Sequence, residues 1–68
     1  MYHSILVFED CILVEELGAS QDPFRRHFDA ALAYLGEPGF LGSSLVPPGN
    51  EIPSHEHLVK TLKEAHMQ

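Results

Sequence analysis

Residues 2–16, YHSILVFEDCILVEE, constrain the fold more than any other stretch of the chain. If they formed a helix, Glu9, Asp10, Glu15 and Glu16 would scatter around it and leave no clean apolar stripe. The density of β-branched and aromatic residues fits strands instead. The pattern predicts one strand near 2–8 and a second near 11–16, joined by a tight turn at Glu9–Asp10. That turn lacks the glycine that a two-residue hairpin prefers, so a single long strand is the alternative. In the hairpin, Ile5, Val7, Ile12 and Val14 share one face, and Leu6, Phe8, Cys11 and Leu13 share the other. Both faces are apolar, so the sheet must be covered on both sides, by its own helices or by a second subunit.

Size sharpens that demand. The 68 residues make one small domain spanning 1–68. A chain this short buries only about 60% of its unfolded surface, so its core is marginal without disulfides, a structural metal or association. Cys11 is the only cysteine, which excludes an internal disulfide, and no Cys/His set has zinc-finger spacing. Association is the remaining route. A homodimer is therefore expected, with Ile5, Val7, Ile12 and Val14 as its interface or as core. A lone cysteine fits a reducing compartment. No apolar run approaches the roughly 18 residues of a membrane span. The N-terminal apolar run has no preceding positive charge and is interrupted by Glu9 and Asp10, so it makes a poor signal peptide. The expectation is a cytoplasmic protein without a membrane partner.

The remaining elements are marked by their ends. In SQDPFRRHFDAALAYLGEPG, Asp22 suits an N-cap, Pro23 the first helical position, and Gly36 with Pro38 a stop. Phe24, Phe28, Ala31 and Leu35 form one apolar stripe, which predicts an amphipathic helix over 23–35. Arg25 and Asp29 are four apart and can pair. FLGSSLV, 40–46, reads as a short third strand weakened by Gly42, and PPGN as a turn. From Ser54 onward, Leu58, Leu62 and Ala65 give a second stripe with Val59 beside it. The order is ββαβα: a small α+β domain with an N-terminal hairpin and two amphipathic helices.

Charge narrows the function. Ten acidic residues against four basic ones give a net charge of −6. Arg25, Arg26, Lys60 and Lys63 are too few for a phosphate-binding surface, which argues against direct nucleic-acid binding. An acidic surface suits encounters with basic partners. Glu9, Asp10, Glu15 and Glu16 are the candidate partner-binding residues. Neighbouring strand residues point to opposite faces, so neither acidic pair converges on one substrate atom for acid/base work.

PPGNEIPSHEH, 47–57, offers the one metal-like arrangement. Gly49, five residues, then His55-x-His57 resembles the first motif of the cupin family, which implies a metal held on a β-barrel. That motif continues to a glutamate, due at 61 or 62, where this chain has Thr61 and Leu62. Ser54 in the capping position and Glu56 in the first turn point to a helix start, from which the two histidines diverge. The competing reading is a small protein binding zinc or another divalent transition metal through His55 and His57, with His3, His27 or His66 as third ligand. Cys11, with His3 or His27 as base, would make a nucleophile, but within FEDCILV it reads as a small buried hydrophobe. No catalytic set, phosphate loop or dinucleotide motif is present, so no enzymatic activity is expected. The expected function is that of a small acidic protein–protein interaction module: an inhibitor, adaptor or regulator, whose partner is another protein, a basic nucleic-acid-handling one among the concrete versions.

Overall fold

The computed structural model describes residues 1–19 and 21–66, the side chain of His66 excepted. It has the order β1 (His3–Phe8), β2 (Ile12–Glu16), α1 (Pro23–Leu32), β3 (Phe40–Val46) and α2 (His55–His66). The chain is a small α+β domain, with the expected succession of elements. The strands form one antiparallel sheet in the order β2-β1-β3. β1, earliest in sequence, therefore lies in the centre, and β2 and β3 are the edges.

The hairpin register pairs Ile5 with Val14, Leu6 with Leu13 and Val7 with Ile12. Glu9 and Asp10 form the tip, closed by the Phe8 amide donating to the Cys11 carbonyl at 2.8 Å. Among the described residues no non-glycine residue has a positive φ, so this turn is not the primed type that glycine-containing hairpins use. It is held instead by the third strand's approach: the Glu9 amide donates to the Gly39 carbonyl at 2.8 Å. Beside it, the β1–β3 register shifts between Val7 and Phe8, an irregularity of the bulge kind that increases local twist.

Side chains alternate across the sheet, so the two helices cover different faces. Ile5 and Val7 are fully buried with Val46 and Leu58 beneath α2, and Ile12, Leu41, Ile52, Val59 and Leu62 pack around them. Burial of such side chains stabilises by roughly 1.5–3 kcal/mol each. Gly42 lies directly under α2: a Cβ placed there would sit 3.1 Å from Leu62 Cδ2. Ser54 caps α2, its Oγ accepting from the His57 amide at 3.2 Å.

The opposite face carries Ser4, Leu6 and Phe8, with Ser43 and Leu45 of β3 as register partners. α1 lies over it. Asp22 caps this helix through Oδ1, which accepts from the Arg25 amide at 3.0 Å, and Pro23 occupies the first turn as expected. The helix ends at Leu32, three residues short of the expected 35. From there the Tyr34 and Leu35 amides bond three residues back, to Ala31 and Leu32, and Gly36 leaves the helix at φ 88°. The tighter spacing turns Tyr34 inward, where its ring joins Phe8 and Phe40 in an aromatic cluster with centroids 5.4–6.0 Å apart.

The stripe of α1 is the main departure from expectation. Pro23, His27, Ala30, Ala31 and Tyr34 are its half-buried positions, while Phe24, Phe28 and Leu35 are exposed. Of the four expected core positions on this helix, Ala31 alone points inward. His27 supplies the physical reason. Its Nδ1 lies 2.6 Å from Ser4 Oγ, and Ser4 is fully buried. A buried hydroxyl needs a partner. Turning Phe24 and Phe28 inward would remove it.

Candidate functional site

Of the four carboxylates nominated for partner binding, Glu15 and Glu16 lie on β2, the free edge of the hairpin, and Glu9 and Asp10 lie in the turn that precedes it. Glu9 and Asp10 are exposed at its tip, and Glu15 and Glu16 are exposed at its far end. Four residues, 11–14, separate the two pairs by roughly 15 Å, so they frame an edge rather than a single cluster. Between them Leu13 and Val14 are exposed on opposite faces. Glu15 also pairs with Arg26 of α1, at 3.6 Å from Nη2. Both groups of that pair face solvent, which keeps its contribution below about 1 kcal/mol. Of the residues nominated as dimer or core interface, Ile5 and Val7 are core beneath α2, Ile12 is half-buried and Val14 is open.

A second surface was hidden in the sequence by the expectation that α1 would bury its stripe. Phe24, Phe28, Leu32 and Leu35 are 64, 58, 46 and 66% exposed. Arg26 reaches toward β2, with Nη1 3.4 Å from the Leu17 carbonyl. At about 100° per residue, Phe24, Phe28 and Leu32 lie about 160° to 240° round the helix from Arg26, and Leu35 follows beyond its end. Phe28 and Leu32 therefore face away from β2, while the Phe24 ring packs beside Tyr2 with centroids 5.6 Å apart. Arg25 and Asp29 border the stripe, with Arg25 Nε 3.5 Å from Asp29 Oδ1.

No protein family, curated protein or solved structure compared with this chain gives a match. Geometry must carry the reading alone.

The histidines do not converge. His55 opens α2 and its Nε2 lies 2.8 Å from the Phe8 carbonyl, pinning the helix start to the end of β1. His57 is exposed, two residues on and about 200° round the helix. His3 lies on the α2 side of the sheet and His27 on the α1 side, while the His66 side chain falls outside the described residues. Among the described residues no three of His, Cys, Asp and Glu come together to hold a metal ion. No helix among them is long and apolar enough to cross a membrane.

Cys11 corrects an expectation: it is exposed beside the hairpin tip rather than buried. The register explains this, because Cys11 falls in the connection before β2 begins at Ile12. Its thiol is pushed above its ordinary pKa, first by local desolvation and then by the charge and hydrogen bond of Asp10. A raised thiol pKa keeps it protonated and a weak nucleophile.

Ser4 and His27 have the separation of a nucleophile and its base. Ser4 is inaccessible, however, so no substrate reaches its oxygen. Burial lowers the His27 pKa, which favours a neutral ring able to accept the Ser4 hydroxyl proton in a hydrogen bond. The pair is a tertiary pin between α1 and β1. A lone serine inside an apolar strand is its one trace in the chain's pattern.

Beside α2 an open groove of about 480 Å³ is lined by Glu9, His55, Glu56, Val59, Lys60 and Lys63, with Glu64 at its margin. Its charges are of both signs and favour no one ligand class.

Proposed function

We propose that this chain is a small protein–protein interaction module that uses its acidic β2 edge to engage another protein with a basic surface. The placement of Glu15 and Glu16 on the edge strand β2, with Glu9 and Asp10 in the turn before it, supports this reading. An edge strand presents backbone donors and acceptors that a partner strand can complete. Carboxylates at both ends select basic side chains and speed encounter, while Leu13 and Val14 supply apolar contact between them. A protein with a basic nucleic-acid-binding groove fits this chemistry, the module occupying the groove without touching nucleic acid itself. We propose the cytoplasm as its location and a homodimer as its working form.

The test is affinity capture from the native host, comparing wild type with a variant carrying Glu9→Lys, Asp10→Lys, Glu15→Lys and Glu16→Lys. The reading expects a basic partner that wild type retains, that the variant loses and that elutes with rising salt. Equal capture by both forms would refute it.

A further inference from the structure

We infer that the exposed apolar flank of α1 is the homodimer face, and that two copies meet there with their α1 helices antiparallel. This rests on the homodimer reading above and deepens it by naming the surface. Of the residues nominated as dimer interface or core, Ile5 and Val7 are core, already covered by α2 of the same chain, and leave the dimer face to be sought elsewhere.

Area is the first argument. The chain exposes 4844 Å². A folded monomer of 7.6 kDa exposes about 4,300 Å² by the usual scaling with mass, so roughly 500 Å² is in excess. Phe24, Phe28, Leu32 and Leu35 present a patch of similar size, about 450 Å² at roughly 200 Å² per fully exposed large side chain. Monomers seldom leave that much contiguous apolar surface without a use. Two such patches supply about 900 Å², and bordering polar residues bring the total toward the roughly 1,200 Å² at which specific interfaces begin. The area therefore suits a modest, reversible dimer.

Charge is the second argument, and it selects a second copy over a different protein. The charged side chains bordering the stripe, Arg25 and Asp29, are of opposite sign and four residues apart on the same flank. A twofold axis near Phe28 sets Phe24 against Leu32 of the partner copy. It also brings Arg25 within about 3 Å, along the helix axis, of the level of the partner's Asp29. The intramolecular pair exchanges for two intermolecular ones. The surface is thus complementary to itself in both shape class and charge. A partner of uniformly basic character, by contrast, is better met by the β2 edge on the other flank.

The experiment is sedimentation equilibrium on the purified chain, with circular dichroism confirming that each variant is folded. Wild type should dimerise reversibly, and Phe28→Asp should weaken the dimer about 30-fold or more. Arg25→Asp should weaken it, and Arg25→Asp combined with Asp29→Arg should restore it. A wild type that stays monomeric to millimolar concentration would refute both this inference and the homodimer reading. A wild-type dimer that Phe28→Asp leaves intact would refute the α1 face alone. Failure of the double variant to recover would refute the antiparallel arrangement. Because Phe28 is exposed in the single chain, loss of folding is not expected; if it occurs, Leu32→Asp serves the same comparison.

Discussion

At the scale of single residues, the molecule's least expected device is the bond between Ser4 and His27. Burial lowers the His27 pKa. Below the ordinary histidine value the unfolded chain takes up a proton that the folded chain resists. The stability that this site contributes is therefore present above about pH 6.5 and declines as pH falls through the lowered folded value. The difference in unfolding free energy between wild type and His27→Gln should shrink between about pH 7 and pH 5 in urea titrations; a constant difference would show that His27 does not titrate as described. Ser4→Ala should cost about 1 kcal/mol, since it removes one buried hydrogen bond while His27 keeps access to water. Neither residue could be paired from the sequence. They are 23 positions apart, and periodicity reports only that a helix has a stripe. It does not report that a buried hydroxyl will outbid two phenylalanines for the inner face.

Elements were more legible, because their signals are local. Alternation in Ile5-Leu6-Val7 and Ile12-Leu13-Val14 predicted the hairpin and its shared faces, and the register observed is the expected one. Asp22, Pro23 and Ser54 announced both helix starts. Ser54→Ala should therefore lower stability by about 1 kcal/mol in thermal or urea unfolding. The end of α1 was misjudged because Gly36 marks where the chain departs, not where the hydrogen bonding tightens four residues earlier. The acidic edge was legible as composition but not as an edge, since strand order depends on the distant pairing of β1 with β3. Gly42 shows how close that assembly is. Its φ of 152° and the nearness of Leu62 both favour glycine. Gly42→Ala should destabilise by roughly 1–3 kcal/mol. Adding Leu62→Val should recover part of that loss, a coupling readable in a double-mutant cycle.

For the whole molecule, the two-faced sheet is unequally covered. α2 closes its side over fully buried residues, whereas α1 has no buried residue of its own. Stability should accordingly depend on association, with a melting temperature that rises over a roughly hundredfold range of protein concentration. A melting point independent of concentration would count against a dimer. The central position of β1 has one more consequence, which concerns synthesis. β1 is made before both its sheet neighbours and before the α2 residues that bury Ile5 and Val7. At roughly 5–20 residues per second, several seconds pass between the emergence of Val7 and that of Leu58 from the ribosome. Until α1 and β3 follow, the nascent hairpin displays apolar side chains on both faces and two unpaired edges. Carboxylates at each end of β2, beyond any service to a partner, then act as guards that keep neighbouring nascent chains from pairing with it.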